Sequence, residues 1–452
     1  MKPFRILVVL LSFALYAHDQ IEVGSVSAQV NEKMGIVLAL IDPTGELQKV
    51  GNVVKQDLEF SNQFDVKIKK VSQVTEAEQI AEWFKKGTPF VVYLTKEDGV
   101  YSWRLYDTAD VSMIQGKKVD QRGNSPRGWA HAISDGIWHS LMGIQGSFST
   151  KLVYGKGLQK RGKQSKKYLY VRDAADTAGY TETKLVSYPT ISVSPRWNRD
   201  TKRPLVLYSE YTPTNVRLIA VDMERKRRLV SDFQGVNMQA AYAPDGTEVV
   251  YCLSRAPQKT MPQHFTSQLY HYVYDKNKDR SVFKRLTLNS DNNFAPCWGP
   301  GKSIFYASDS FSKKAPDICW LDIQAQKITW VTQGKYAVSP DYCAVNNKLA
   351  YCKMIDGLMQ VFVYDLTSNM HKQVTFDATN KEDCSWSPCG TFLAYSSEAG
   401  GRSRIACYNS LTQEQRFITA AHEDCSYPAW SPAYELFPEV VESSRQKKTA
   451  IV

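Results

Sequence analysis

Few side chains in this 452-residue sequence are of a type and spacing that could do chemistry. Glu382 and Asp383 form a carboxylate pair that could do acid–base work, although nothing near them in sequence sets them above surface turn residues. The stretch Asn289-Ser290-Asp291-Asn292-Asn293 offers oxygens to a calcium ion but lacks the EF-hand spacing. It is the only hint of an ion, and no cofactor or metal is otherwise expected. Nine cysteines, Cys252, Cys297, Cys319, Cys343, Cys352, Cys384, Cys389, Cys407 and Cys425, all lie in the C-terminal half. They show neither Cys-x-x-Cys nor a Cys/His grouping at zinc spacing. The odd count leaves at least one free or paired between chains, and a structural disulfide stays open. Gly-x-Ser-x-Gly, His-Glu-x-x-His and the phosphate-binding Gly-x-x-x-x-Gly-Lys-Ser/Thr are absent, so catalysis is not expected.

The elements around these residues belong to an ordered, strand-rich chain. Hydrophobic residues make up 43% and charged residues 23%, which excludes intrinsic disorder and a polytopic membrane protein. Aromatics reach 12%, with 25 Tyr and 10 Trp, a bias that favours strands. From Met34 to Ile144 strands and helices alternate. Gly35–Ile41 reads as a buried strand, and Leu47, Val50, Val53, Val54 and Leu58 recur at helical spacing. Phe64–Ile68 alternates like a half-buried strand. Thr75 is positioned to cap a helix carrying Ile80, Ala81, Trp83 and Phe84. Phe90–Leu94 and Tyr101–Tyr106 pair across Asp98-Gly99, and Trp129, Ile133, Ile137, Trp138 and Leu141 mark a last helix.

Beyond Ser147 the helical period gives way to a repeat. Ala241-Tyr242-Ala243-Pro244-Asp245-Gly246, Ser385-Trp386-Ser387-Pro388-Cys389-Gly390 and Ala429-Trp430-Ser431-Pro432 are its clearest copies. Weaker copies surround Trp197, Trp298 and Val338. Aligned at 197, 242, 298, 338, 386 and 430, the copies lie 45, 56, 40, 48 and 44 residues apart, the period of propeller blades. The Pro-Asp-Gly element supplies the tight turn between strands, where Pro fixes φ and Gly accepts positive φ. Six anchors imply six blades. Too little chain follows Trp430 for a whole blade, whereas Lys151–Tyr154, Tyr168–Val171 and Glu182–Val186 precede the first anchor. The expected fold is therefore a six-bladed β-propeller, its ring closed by strands from both ends of the region, preceded by a small α/β domain.

Lys2 and Arg5 precede an apolar run from Ile6 to Leu15, the pattern of a secretory signal. Cleavage after Ala17 or after Ala28 fits, and no window is apolar enough for a transmembrane segment in the mature chain. The expected parts are a signal peptide at 1–17, a mobile segment at 18–33, the α/β domain at 34–146, the propeller at 147–437 and a flexible tail at 438–452. Part of the formal charge of +10 lies in basic runs, Lys156 to Lys167 and Arg225-Lys226-Arg227-Arg228. These fall where the repeat places turns, so they read as solvated loops or as contacts to anionic envelope polymers. Nucleic acid is not expected as a partner of an exported protein.

Three stretches together give this order of parts a resemblance to a known family. Ser134–Phe148, the repeated Trp-Ser-Pro-type anchors and Tyr427-Pro428-Ala429-Trp430-Ser431-Pro432 resemble the junction, blades and closing strand of the TolB family, the periplasmic propellers of the Tol–Pal envelope system. The resemblance implies a scaffold in the periplasm that maintains envelope integrity and supports cell division. Its propeller mouth would bind a Pal-like peptidoglycan-associated lipoprotein, and the segment after the signal peptide would bind a TolA-like inner-membrane protein. Carried onto this sequence, the mouth would comprise Asn237, Met238, Asn292, Asn293, Lys335, Glu382, Asp383, His422, Glu423 and Asp424. Phe294 and Ala295 stand where the family tends to have small polar and acidic residues. The N-terminal contact would use Asp19, Ile21, Glu22 and Val23, a short segment able to add a strand to a sheet edge. The alternatives are a propeller-based hydrolase and a glycan-binding protein.

Overall fold

The computed structural model describes residues 32–42, 44–72, 77–119, 125–158, 166–188, 190–255, 266–275, 280–312 and 315–434. The signal sequence, Asp19, Ile21, Glu22, Val23, Thr75 and the tail beyond 434 lie outside these residues.

The first part is a five-stranded sheet with helices on both faces. β1 (Met34–Ile41), α1 (Leu47–Phe60), β2 (Phe64–Lys70), α2 (Ala77–Lys85), β3 (Phe90–Glu97), β4 (Val100–Asp107), β5 (Ser112–Val119) and α3 (Pro126–Met142) follow in order. The sheet order is β2-β1-β3-β4-β5, with β1 parallel to both neighbours and β3-β4-β5 antiparallel. β1 is nearly continuous in apolar residues because both of its faces are covered. Ile36, Leu38 and Leu40 meet Val50, Val54 and Leu58 of α1 and Ile133 and Ile137 of α3. Val37 and Ala39 point the other way, toward Ile80 of α2. Sequence periodicity places all of these elements except β5, whose Gly116-Lys117-Lys118 is polar because it forms a sheet edge. α3 starts at Ser125, whose side chain accepts from the Gly128 N–H at 3.2 Å, and stops at Gly143 in the left-handed region (φ +72°).

The second part is a propeller-type array of antiparallel meanders. The strands Asn293–Trp298, Ser303–Ser308, Asp317–Asp322 and Lys327–Trp330 form one such four-stranded sheet, and Ala337–Gln373 and Asn380–Phe417 hold two more. Single parallel bridges, Lys167 with Ile191 and Val216 with Val236, join the earlier strands into one longer path. The last strand, Cys425–Trp430, pairs antiparallel with β6 (Lys151–Leu158), the first strand after α3.

The innermost strands share one irregularity. Ser194, Gln239, Ala295, Ser339, Asp383 and Tyr427 all have φ between +49° and +58°, and at each the pairing register shifts. Each is a β-bulge that leaves a residue unpaired and bends its strand. The aromatic anchor always follows three residues later, at Trp197, Tyr242, Trp298, Tyr342, Trp386 and Trp430. This corrects one anchor from Val338 to Tyr342. Ser339-Pro340 lies inside the bulge, like Ser194-Pro195, Ala295-Pro296 and Tyr427-Pro428, rather than in the turn after the anchor. Tyr342 pairs with Leu349 just as Trp386 pairs with Leu393. The intervals become 45, 56, 44, 44 and 44 residues, and the long one contains 256–265, outside the described residues.

The anchors also tie neighbouring sheets together. The indole N–H of Trp298 donates to the Ala241 carbonyl at 3.0 Å, and that of Trp197 donates to the Ala429 carbonyl at 3.0 Å. The residue before an anchor can act through its side chain instead: Asp341 accepts from the Trp386 backbone N–H at 2.7 Å, and Ser385 from that of Trp430 at 2.9 Å.

The two parts meet through an aromatic cluster, Phe60, Trp138, Phe148, Phe392 and Trp430. Beside it lies a buried charge network. His131 of α3 contacts Asp57 of α1 at 2.8 Å and Asp173 of the propeller at 3.2 Å. Lys151 and Arg127 also bind Asp173. Burial opposes charge on His131, but the Asp57 and Asp173 carboxylates overcome it and push its pKa up to about 10.

Candidate functional site

The bulge sets which inner-strand residues reach a surface. The position five before the anchor holds Ser192, Asn237, Asn293, Ala337, Lys381 and Cys425, all at most 1% exposed. In four of the six strands the next two positions are at least partly accessible: Met238 and Gln239, Phe294 and Ala295, Val338 and Ser339, and Glu382 and Asp383. A cleft of about 490 Å³ opens there, lined by Met238, Gln239, Ser267, Asn292, Phe294, Asp309, Ala315, Pro316 and Tyr336. The Gln239 side chain crosses between sheets to accept the Ala295 backbone N–H at 3.0 Å, and Tyr211 reaches the Met238 sulfur at 3.8 Å. Tyr211 and Tyr336 are 40% and 38% exposed, large for aromatic side chains beside a cleft.

Carboxylates stand on the same strands. Burial, then the neighbouring Glu382, raise the Asp383 carboxyl to about 7, with Arg196, Ser396 and Lys167 acting in the opposite direction. Burial and Glu398 raise Glu382. Lys167 donates to the Ser426 hydroxyl at 2.5 Å and lies 5.3 Å from the centre of the Tyr427 ring. Burial also raises the Asp341 carboxyl, with Arg199 and then Arg196 acting against it. The surface thus combines Met and aromatic side chains with a polar, acidic flank. That combination suits binding of another protein's surface.

The structure places the expected mouth residues unevenly. Met238 and Asn292 line the cleft, and Asn292 is fixed by Asp309 through its backbone N–H at 2.7 Å and its amide at 2.8 Å. Glu382 and Asp383 occupy the accessible positions. Lys335 and His422 are exposed, while Glu423 is held by Lys156 and Asp424 accepts the Ser403 N–H at 3.1 Å. Asn237 and Asn293 are a correction, because both are 0% exposed and their amides brace loops. Asn237 donates to the carbonyls of Val216 at 2.8 Å and Phe233 at 2.7 Å, and Asn293 donates to Asn289 Oδ1 at 2.7 Å. Within Asn289–Asn293, Asn289 Oδ1 and Asn292 Oδ1 thus accept bonds from the protein itself, the latter from the Ser267 N–H at 3.1 Å. Gln239, Tyr211, Tyr336 and Asp309 belong to no motif of the sequence, and Tyr427 enters there only as part of the closing strand. Aligning the four Pro residues that follow bulges points to Tyr427, and the three-residue spacing before Tyr242 points to Gln239.

Ser134, His131 and Asp57 carry the residue types of a hydrolytic triad in a different arrangement. Ser134 donates to Asp57 at 2.8 Å and to the Ala130 carbonyl at 2.9 Å, while both imidazole nitrogens face carboxylates. No hydroxyl is presented to the imidazole, and the group braces the two parts of the chain. Among the described residues no group of three or more His, Cys, Asp or Glu side chains is placed to hold a metal ion, and no helix is long and apolar enough to cross a membrane.

Residues 138–434 match the family described as the TolB beta propeller domain. The chain is similar to the Tol-Pal system protein TolB of Francisella tularensis subsp. tularensis, 23% identical over 417 residues that span 89% of this chain and 88% of that one. It is also similar to the Tol-Pal system protein TolB of Legionella pneumophila, 26% identical over 214 residues, 46% of this chain and 49% of that one. Among solved structures it resembles TolB from Acinetobacter baumannii, with a TM-score of 0.75 and 20% identity over 89% of this chain and 97% of that one. That likeness gives the fold: a TolB-like propeller with an N-terminal α/β part.

Proposed function

Because the chain belongs to the TolB beta propeller family, we propose that it is a periplasmic scaffold of a Tol–Pal system. In this reading it links a Pal-like peptidoglycan-associated lipoprotein to a TolA-like inner-membrane protein, maintains envelope integrity and supports cell division. The observation that carries the proposal is the cleft where Met238, Phe294 and Tyr336 converge beside Asn292 and Asp309. Half-exposed Met and aromatic residues with a polar flank suit a protein partner. The named relatives are Tol-Pal system proteins, which supports the same role.

We further infer six blades, with the Cys425–Trp430 strand closing the ring against β6; the shared bulge and their antiparallel pairing support this. Glu382, Asp383 and the loop bearing His422, Glu423 and Asp424 would flank the lipoprotein, with Lys335 at the edge. The second partner would engage the segment around Asp19, Ile21, Glu22 and Val23, which lies outside the described residues. The chain would act by binding, without catalysis or a cofactor.

Hydrogen–deuterium exchange of the full chain, with and without the lipoprotein's periplasmic domain, tests this reading. Protection should concentrate on residues 235–242, 290–298 and 334–343. Protection confined to the α/β part, or none at saturating partner, would overturn it.

A further inference from the structure

We propose that Cys352 and Cys384 form a disulfide that staples two neighbouring sheets just beneath the candidate site. Cys352 lies on Lys348–Ile355, the second strand of its sheet, and Cys384 on Asn380–Trp386, the inner strand of the next. Their sulfurs are 3.6 Å apart, in van der Waals contact, and both residues are 0% exposed. They share one apolar cluster with Ala350, Val361 and Tyr395, so the pair is held from both sides. A disulfide would bring the two sulfurs from this contact to a bond of about 2.05 Å. Cys384 directly follows Asp383, so the bond would also pin a bulge whose residue faces the candidate site.

The oxidant is a small-molecule or protein disulfide. One thiolate attacks it, forming a mixed disulfide and expelling one thiolate. The second cysteine then attacks the mixed disulfide and expels the other. Two electrons pass to the oxidant, and the two protons lost by the cysteines end on the two thiols it releases. The Cys384 thiol and burial hold the Cys352 pKa well above its ordinary value, which leaves the folded thiol a poor nucleophile. Exchange therefore belongs to folding, before the strands close over the pair. The proposal rests on the export reading only for the oxidising compartment.

The test refolds the reduced full chain in a mixture of oxidised and reduced glutathione, then alkylates it in denaturant for peptide mass mapping. Seven of the nine cysteines should take the label, with a peptide joining Cys352 to Cys384. C352S and C384S should each label at all eight remaining cysteines, and reduction of the wild type should lower its Tm. Labelling of both Cys352 and Cys384 in folded, oxidant-treated wild type would overturn the proposal, and that result needs no variant to fold. Such a failure leaves the scaffold reading untouched, whereas loss of lipoprotein binding with the bond formed would fell the scaffold reading alone.

Discussion

The indole N–H of Trp197 donates to the backbone carbonyl of Ala429, 232 residues further along the chain, at 3.0 Å. The same bond joins Trp298 to Ala241, only 57 residues apart. One anchor-to-neighbour contact thus occurs both within the run of repeats and between its two ends. Both carbonyls are buried, so removing the donor leaves an acceptor without its partner. W197F and W298F should each cost about 1–3 kcal/mol in urea unfolding. A loss confined to W298F would mean that the long-range contact contributes nothing.

The junction between the two parts should respond to pH in a defined direction. The folded His131 pKa of about 10 lies above its unfolded value of about 6.5. Its contribution is therefore fully present below about 6.5 and is lost as pH rises through about 10. Thermal unfolding followed from pH 6 to 10 should show a falling Tm in the wild type and a flatter profile in H131Q. H131A should cost about 3–5 kcal/mol at pH 6, because it leaves Asp57 and Asp173 short of a buried cation. An unchanged profile in H131Q would contradict the network's role.

Asp383 gives the opposite kind of variant. Its carboxyl is raised to about 7, so the folded chain holds that proton more tightly than the unfolded chain does. The stability tied to the proton is present below about 4 and is lost as pH rises through about 7. D383N removes the ionisation while keeping a residue type that tolerates the bulge φ of +57°. D383N should match the wild type near pH 4 and exceed its Tm at pH 8. D383A would add the strain of a left-handed alanine, so it should gain less. Equal Tm values for D383N and wild type at pH 8 would contradict the assignment.

Much of the architecture was legible because burial writes itself into period. β1 with α1, and β3 with β4, follow from runs of Ile, Val and Leu that only a core can accept. The repeat was legible from its Trp and Pro residues, yet Val338 stood in for Tyr342. Pro340 follows a bulge, whereas Pro388 begins a turn, and a motif read by letters does not separate those geometries. Asn237 and Asn293 fall beside accessible neighbours in sequence, and nothing in their residue type marks them as buried. Strand alternation buries the Asn237 side chain and leaves its neighbour Met238 partly accessible. The cleft itself was only partly visible, since Tyr211, Asp309 and Tyr336 come from the outer ends of different strands and loops and no spacing in sequence joins them.

In the proposed role, the cleft bearing Met238 and Tyr336 receives the lipoprotein. Calorimetric titration of the full mature chain with the periplasmic domain of the Pal-like lipoprotein tests it most directly. The account predicts saturable one-to-one binding, weakened at least about tenfold by M238A and by Y336A, a loss of about 1.4 kcal/mol in each, with unfolding midpoints retained. Undiminished affinity in both folded variants would contradict it.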